Sequence, residues 1–357
     1  PLWFFELTPK LNRLLRYSFP YFLFYTKQYF LCNNDIAMKK ILVSGYIGFN
    51  NFGDEAIFKA LCDHLEDCEI SVLSNKKYEN IISYSRFNIL EILKAIVNCD
   101  VLISGGGSLL QNKTSNISLL YYLFIILLAR FLNRKVIIFA QGFEKIKGEF
   151  FEKLLAHTLK CTNFVSVRDL KSQKYLNSLG VKSSYLSDPI YSILQKTQIK
   201  EKHGLIVQLR DVVDVELINE LAFAIKENYD GEITVLALQK ELDEKACLEF
   251  KKHFKNAKYY CHKDIFETID LINRAKYVIS TRLHGLICAN ALKSQPFALS
   301  YDDKINTLID EFNLQNINIY DYNKTELYQK LKKFFAAQFH CLEYKKFEWN
   351  EIDTELK

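Results

Sequence analysis

Short apolar runs alternate with helical patterns along most of this 357-residue chain. Short runs bounded by glycine or polar residues are typical of buried strands, and apolar positions three and four residues apart are typical of helices. The predicted strands are residues 41–44, 69–73, 100–104, 135–140, 163–167, 205–210, 232–238, 258–260, 277–280 and 297–300. The predicted helices include residues 56–65, 117–129, 170–179, 215–228, 243–254 and 283–292. This alternation predicts an α/β fold of two doubly wound, Rossmann-like domains that face a cleft.

The alternation falls into two series, and the polar stretch at residues 195–203 is the predicted linker between them. Met38 is the only methionine, and two lysines and a strand follow it, so we expect the globular part to begin there. The predicted organisation is an aromatic and basic extension at residues 1–37, a first α/β domain at residues 38–194, a second α/β domain at residues 204–322 and a helical tail at residues 323–357.

Residues 280–304 carry the strongest candidate chemistry. Arg282 and His284 follow one predicted strand, and Lys304 follows the next strand along the chain. Open α/β sheets bind ligands at the carboxyl ends of their strands, and the first turn of a helix offers free N–H groups to an anion. This basic triplet therefore predicts an anion-binding site. The alternative is that Arg282 forms a surface ion pair and His284 packs in the core.

Two glycine-rich loops also follow predicted strands. The loop at residues 45–53 leads into a helix that begins near Asp54, which either contacts a ligand or caps the helix. A second loop contains Gly106 and Gly107. The spacing of the first loop matches neither a dinucleotide fingerprint nor a Walker A loop, so its glycines predict only a close approach of the backbone to a ligand. The second loop is either a ligand loop lined by backbone or a tight turn.

Arg168 ends the predicted strand at residues 163–167 and precedes a helix. A guanidinium at this place can bind a phosphate or a carboxylate with two parallel hydrogen bonds. The alternative is a surface contact between Arg168 and Asp169, which would contribute little.

These motifs together resemble the polysaccharide pyruvyl transferase family. The resemblance covers most of residues 38–310 and departs from the family at residues 141–146, where Glu144 and Lys145 replace a small residue and a proline. The motifs that carry it are Arg282-Leu283-His284, Pro296, Tyr301-Asp302-Asp303-Lys304, the loops at residues 45–56 and 105–111, and Ser166-Val167-Arg168-Asp169 with Ser172.

The resemblance implies a fold like that of the two-domain glycosyltransferases called GT-B. It also implies transfer of a pyruvyl group from phosphoenolpyruvate to two hydroxyls of a sugar in a cell-surface polysaccharide, with release of phosphate. The glycan acceptor, lipid-linked or free, would bind the first domain, and the donor would bind the second. No cofactor and no metal are expected beyond the donor substrate.

The resemblance also implies roles for individual residues. His284 would be the general acid, because an imidazole titrates near neutral pH. Arg168 and Lys304 would bind the phosphate and the carboxylate of the donor. The predicted catalytic residues are thus His284, Arg168 and Lys304, and the predicted substrate-binding residues are Asn51, Gly53, Asp54, Gly106, Gly107, Arg282 and Tyr301.

Two other functions fit the same pattern. A GT-B glycosyltransferase would use the cations to bind a nucleotide-sugar donor. A non-catalytic member of the family would bind glycan alone, and the altered loop at Glu144 and Lys145 keeps this alternative open.

Composition narrows the class of protein. A 49% hydrophobic content is enough for two cores, and a net charge of +5 favours acidic substrates or an anionic membrane surface over nucleic acid. The nine cysteines are scattered without a CxxC pair, which argues against zinc and favours reduced thiols in a cytoplasmic protein.

Two apolar segments are too short for a bilayer-spanning helix of about 20 residues. Residues 1–37 form either an interfacial anchor or an extension without a role. Residues 117–129 predict a buried helix, with a membrane-facing patch as the second interpretation. Peripheral contact with the inner face of the cytoplasmic membrane is therefore expected beside a cytoplasmic location.

Overall fold

In the computed structural model, which describes residues 38–113, 115–337 and 345–357, the chain folds around two parallel β-sheets. The predicted extension at residues 1–37 lies outside the described residues. Within the described ranges, the first sheet has seven strands in the order β3-β2-β1-β4-β5-β6-β7. These strands are β1 Lys40–Ser44, β2 Glu69–Leu73, β3 Ile82–Tyr84, β4 Val101–Gly105, β5 Lys135–Gln141, β6 Phe164–Val167 and β7 Ser184–Tyr185.

The second sheet has six strands in the described part of the chain, in the order β10-β9-β8-β11-β12-β13. All strand pairs between the named strands of both sheets are parallel. These strands are β8 His203–Gln208, β9 Ile233–Ala237, β10 Lys258–Cys261, β11 Ala275–Ser280, β12 Gln295–Ser300 and β13 Gln315–Asn318. The predicted fold of two doubly wound α/β domains is confirmed.

Helices connect the strands of each sheet and continue to the end of the chain. In the first series they are α1 Phe52–His64, α2 Ile89–Asn98, α3 Asn116–Phe131, α4 Glu149–Lys160, α5 Leu170–Ser178 and α6 Tyr191–Leu194. In the second series they are α7 Val215–Asn228, α8 Lys240–Lys251, α9 Ile265–Arg274, α10 Leu283–Ala291, α11 Asp303–Phe312, α12 Lys324–Ala336 and α13 Asn350–Leu356.

Three strands that the sequence pattern did not predict all lie at sheet edges. β3, β7 and β13 are the outermost strands of their sheets, so each pairs with one neighbour only. β13 reads QNIN and buries one of its four side chains. An edge strand is not enclosed on both faces and both sides, so it does not need the apolar run that marks a central parallel strand.

Helix α1 begins four residues earlier than the predicted helix at residues 56–65. Asn51 is the N-cap, and its side-chain oxygen accepts a hydrogen bond from the Gly53 backbone N–H at 3.1 Å. The interpretation of Asp54 as the cap is therefore wrong, because Asp54 lies inside the first turn. The early start also carries α1 to the second domain, where the buried Phe52 donates its N–H to the Leu238 carbonyl at 3.0 Å.

Helix α3 only partly agrees with the predicted buried helix at residues 117–129. Its inner side packs against the first sheet and is fully enclosed at Leu119 and Ile126. Its outer side is apolar as well, yet Ile117 and Phe124 are 79% and 45% exposed. No helix in the described residues combines the length and apolarity needed to cross a bilayer.

The end of the chain packs against the first domain. The rings of Phe347 and Trp349 contact Phe139 of β5 at centroid distances of 5.9 and 5.6 Å. His64 of α1 stacks on Trp349 and pairs with Asp353 of α13 at 2.6 Å. The last helix therefore covers the first sheet and α1, although it follows the second domain in sequence.

Replacing Phe347, which is 2% exposed, tests this packing. Phe347→Ala should lower the free energy of unfolding by about 3 kcal/mol or more, because a buried ring is removed and a cavity remains. Denaturant unfolding measures the change. Phe223→Ala serves as the control, because Phe223 is 60% exposed and should change stability by less than about 0.5 kcal/mol. Equal effects of the two substitutions would show that the tail does not stabilise the first domain.

Candidate active site

The carboxyl ends of both sheets face a cavity of about 460 Å³ between the two domains. The strand order reverses between β1 and β4 and again between β8 and β11, and the loops after these strands line the cavity. Such reversals are where doubly wound sheets bind ligands. The charged and imidazole side chains in the lining are Asp54, Arg168, Arg210, Arg282, His284, Asp302 and Lys304.

The predicted site residues mostly meet at this cavity. Arg168, His284 and Lys304, which come from three separate motifs, all line it. Gly106 does not, because its Cα faces Ile57 of α1 in the core of the first domain. The predicted substrate-binding residues in the lining are Asn51, Gly53, Asp54, Gly107, Arg282 and Tyr301.

The N-terminus of α10 points into the cavity without a side-chain cap. Its N-cap residue, Arg282, makes no capping hydrogen bond, and His284 lies in the first turn. The neighbouring helices α1, α5 and α11 are capped by Asn51, Asp169 and Asp302. The uncapped N–H groups and the helix dipole of α10 therefore favour an anion from outside the chain.

The buried carboxylate of Asp188 links Arg168 to His284. Its Oδ2 lies 3.2 Å from Arg168 Nη1 and 3.4 Å from His284 Nε2, and its Oδ1 accepts the Ile190 N–H at 3.1 Å. Burial alone would raise the pKa of Asp188, but His284, Arg168 and the Ile190 N–H outweigh it and lower the pKa to about 2. Asp188 is therefore an anion at neutral pH that stabilises the positive charge of Arg168.

Arg168 forms hydrogen bonds with two side chains and also lines the cavity. Besides Asp188, its Nη2 donates to the Ser108 hydroxyl in the loop after β4, at 3.1 Å. The alternative of a surface contact with Asp169 is wrong, because Arg168 is 8% exposed and Asp169 instead caps α5 through the Ser172 N–H. The guanidinium is thus oriented by the first domain before any ligand arrives.

Lys304, like Arg210, is a cavity-lining cation without an ion pair in the described part of the chain. None of the described carboxylates forms an ion pair with its Nζ. Burial lowers the pKa of Lys304; Asp302 opposes this effect, and Arg168 adds to it. An anion bound in the cavity would relieve this cost of burying the ammonium group.

The guanidinium of Arg282 forms an ion pair with Asp243 of the same domain. Its Nη2 and Nε lie 2.6 and 3.1 Å from Asp243 Oδ1, and its Nη2 also donates to Gln239 Oε1 at 3.2 Å. Asp243 is fully buried, so the predicted surface ion pair is instead an internal one. Arg282 also lines the cavity, where its guanidinium contributes positive potential.

Asp54 is a carboxylate of the first domain that lines the cavity beside these cations. Burial raises the pKa of Asp54, while His284, Lys304, Arg168 and Arg282 act in the opposite direction. The carboxylate lies beside Gly107, where a side-chain Cβ would come within 2.5 Å of Asp54 Oδ1. Gly107 therefore leaves room for this carboxylate at the cavity wall, and its φ of +71° is a conformation that favours glycine.

Gly53 makes the closest approach between the two domains at the site. A Cβ atom at this position would overlap the His284 imidazole near Nδ1. Only glycine thus lets the first turn of α1 lie directly against the histidine. Tyr301 lies on the opposite side, where its hydroxyl accepts a hydrogen bond from Arg210 Nη1 at 2.6 Å.

The loop that departs from the family pattern forms an electrostatic contact between the domains. Glu144 pairs with Lys113 of the loop after β4, and Lys113 Nζ also donates to Asp303 of α11 at 3.2 Å. Asp303 immediately precedes Lys304. Glu144 thus helps to hold the two sides of the cleft together beside a predicted catalytic residue.

Sequence reasoning missed the partners that hold the cations. Asp188 and Asp243 lie outside the motifs, and Ser108 was noted only as part of a glycine loop. A carboxylate three residues after the short strand β7 would have pointed to Asp188, but β7 itself was not predicted. Asp243 carried no signal, because an acidic residue in the first turn of a helix is common.

Comparison with known families identifies the same region. A model of the family described as polysaccharide pyruvyl transferase matches residues 51–303. No curated protein matches the chain. The match includes His284, Arg168 and the helix α1 that lies against them.

Comparison with solved structures shows the GT-B fold. The UDP-GlcNAc 2-epimerase from Methanocaldococcus jannaschii has a TM-score of 0.57 at 15% identity, with coverage of 84% of this chain and 94% of that one. A glycosyltransferase from Rickettsia africae has a TM-score of 0.55 at 12% identity, with coverage of 84% and 89%. The UDP-GlcNAc 2-epimerase from Neisseria meningitidis has a TM-score of 0.55 at 10% identity, with coverage of 84% and 92%.

The contact between Gly53 and His284 can be tested by a double-mutant cycle. Gly53→Ala should lower the free energy of unfolding by about 1–3 kcal/mol, because the added methyl group overlaps the imidazole. In a His284→Ala background the same change should cost much less, since the obstacle is gone. Thermal or denaturant unfolding of the four proteins gives the coupling. Equal costs in both backgrounds would show that Gly53 does not lie against His284.

The role of Asp188 can be tested by the pH dependence of stability. Its pKa of about 2 lies below the ordinary value of 3.8, so its contribution is complete above pH 3.8 and disappears as the pH falls towards 2. We expect the wild-type protein to lose about 2 kcal/mol more than Asp188→Asn over this range. Denaturant unfolding at several pH values measures the difference. Asp321→Asn, an exposed control, should follow the wild-type curve; parallel curves for Asp188→Asn would contradict the assignment.

Proposed function

Because this chain belongs to the polysaccharide pyruvyl transferase family, we propose that it transfers a pyruvyl group from phosphoenolpyruvate to two hydroxyls of one sugar in a cell-surface glycan. The products are a cyclic pyruvate ketal and inorganic phosphate. The observation that carries the proposal is the convergence of Arg168, His284 and Lys304 on one cavity beside the uncapped N-terminus of α10.

Phosphoenolpyruvate fits the charges of this cavity. The donor is small and carries a phosphate and a carboxylate, and each group requires cationic or N–H donors in a site shielded from water. Lys304 has no carboxylate partner in the described residues, and Arg168 is oriented by Asp188 and Ser108. We assign the two anionic groups of the donor to these two cations and to the N–H groups of α10.

The proposed reaction needs one acid and one base. A proton adds to the methylene carbon of the donor, which becomes a methyl group, and an acceptor hydroxyl bonds to the carbon that carries the phosphate. The bond from that carbon to the phosphate oxygen breaks, and the second hydroxyl bonds to the same carbon and closes the ketal. Of the two protons that the hydroxyls lose, one balances the proton gained by the methyl carbon, and the other leaves with phosphate.

His284 is the proposed acid. The carboxylate of Asp188 lies 3.4 Å from its Nε2 and orients the imidazole in the cavity wall. Gly53 packs against the other side of the ring and restricts its rotation. An imidazolium held in this way can deliver a proton to the methylene carbon and take one back from the acceptor side later in the cycle.

Asp54 is the proposed base for an acceptor hydroxyl. It lines the cavity from the first domain, beside Gly107, on the side where Asn51 also lies. Burial raises the pKa of Asp54, which makes its carboxylate a stronger base than a solvated one. The neighbouring cations His284, Lys304 and Arg168 oppose this effect of burial on the pKa of Asp54.

A nucleotide-sugar donor is the alternative, because the same cations would bind a diphosphate. Thermal unfolding with phosphoenolpyruvate or with uridine and guanosine diphosphates separates the two donors, since a ligand raises the melting temperature only when it binds the folded state. Phosphate release is then followed with phosphoenolpyruvate and a panel of aryl or lipid-linked glycosides. We expect release only when a glycoside is present. Stabilisation by a nucleoside diphosphate alone, with no phosphate release on any glycoside, would overturn the proposal.

Two substitutions should separate binding from chemistry. His284→Ala should reduce turnover about 10²- to 10⁴-fold while the donor still raises the melting temperature, because a proton donor is lost and the cations remain. Lys304→Ala should raise the KM of the donor about 10- to 100-fold, because a charge-assisted contact to the ground state is lost. Lys258→Ala, at an exposed pair with Glu232, is the control. Full activity of His284→Ala would refute its role as the acid.

A further inference from the structure

The outer side of α3 is apolar along its length. Ile117, Leu120 and Phe124 follow one another at intervals of three and four residues and are 79%, 40% and 45% exposed. We call these three side chains the outer face of α3. From Ile117 to Phe124 this face spans about 10 Å of a helix that has 16 residues, is about 24 Å long and contains no acidic residue. A surface helix of a globular protein normally turns charged and polar residues towards solvent.

The helices on either side extend the apolar surface. The Tyr121 hydroxyl of α3 donates to the Arg86 carbonyl at 2.8 Å, so the segment that carries Phe87 and leads into α2 with Leu90 contacts α3. On the other side, Asn112 before α3 donates to the Lys147 carbonyl at 2.7 Å, next to the start of α4 with Phe150. Phe87, Leu90 and Phe150 are 72%, 72% and 70% exposed. Exposed apolar side chains gathered on neighbouring segments in this way indicate an interaction site.

Lysines flank this surface on both sides. Lys94 lies on α2, and Lys145 and Lys147 lie in the loop before α4; all three are exposed. None of the three side chains forms an ion pair with a described residue. The acidic residues of the same loops and helices are engaged: Glu91 accepts the Ser85 N–H, and Glu149 pairs with Lys153. The border of the apolar surface is therefore positively charged.

We propose that the outer face of α3, with its flanking lysines, docks on an anionic lipid bilayer. Exposed apolar side chains bordered by unpaired lysines are the chemistry that partitions into the headgroup region and attracts anionic lipids. A second copy of the chain fits less well. In a symmetric dimer the same surface would meet itself, which would bring the lysines of both copies together.

The docked orientation brings the cleft to the membrane. Ser118, one residue after Ile117, lines the cavity between the two domains. The start of α3 thus belongs both to the outer face and to the entrance of the cleft. A sugar attached to a lipid carrier could enter the cavity while its lipid remains in the bilayer. Binding itself does not depend on the proposed reaction, because it involves no substrate.

Vesicle co-sedimentation of the full chain tests the docking. Vesicles of phosphatidylcholine alone are compared with vesicles that also contain phosphatidylglycerol, without any substrate. The double variant Leu120→Gln/Phe124→Gln should weaken binding by about tenfold or more, because two apolar side chains no longer enter the interface. Lys94→Gln/Lys147→Gln should remove the preference for phosphatidylglycerol and the sensitivity of binding to salt.

The matched control is Leu248→Gln/Phe223→Gln on α8 and α7 of the second domain. These residues are 40% and 60% exposed, so the control removes the same two side-chain types from another surface. It should bind vesicles as the wild type does. The proposal is overturned if the wild-type chain does not bind vesicles. It is equally overturned if the control variant Leu248→Gln/Phe223→Gln loses as much binding as Leu120→Gln/Phe124→Gln. It is also overturned if Leu120→Gln/Phe124→Gln binds normally, or if sedimentation velocity shows that this variant instead dissociates a dimer.

Discussion

The carboxylate of Asp188 holds the positive charges of the two domains next to each other. Arg168 belongs to the first domain and His284 to the second, and both lie within 3.4 Å of the same oxygen. Without this anion, the buried guanidinium of Arg168 would lack its charged partner in a region of low dielectric constant. One ionised side chain therefore connects the two domains at the cleft, and the glycine at position 53 allows α1 to lie against His284.

The other cationic groups of the cleft differ in whether the protein supplies a carboxylate partner for them. Asp243 binds Arg282 in the second domain as Asp188 binds Arg168 in the first. Lys304 and the N-terminus of α10 lack a comparable partner among the described residues. The site thus combines cations that are already fixed in place with cations that await a ligand. This division suits a small donor with two anionic groups, because the fixed cations need no reorganisation when it binds.

Helix α3 connects the cleft with the outer surface of the first domain. Helix α3 packs its inner side against the sheet, lines the cavity at Ser118 and presents apolar side chains outwards. The pair of Lys113 and Glu144 joins the loop before this helix to the second domain through Asp303. An acceptor at a membrane and a donor in the cleft would therefore approach the protein on neighbouring parts of one helix and its preceding loop.

The sequence by itself determined the two α/β domains, because buried parallel strands require continuous apolar runs. The sequence also placed Arg168 at the carboxyl ends of the strands of the first sheet and His284 and Lys304 at those of the second sheet. It also indicated the ligand loops through their glycines. Only the tertiary structure decided the edge strands, the start of α1 at Phe52 and the carboxylates that hold the cations. Asp188 lies 20 residues from Arg168 and 96 from His284, and Asp243 lies 39 from Arg282. Pairs so distant in sequence leave no periodic pattern, since their contact depends on how the two sheets pack.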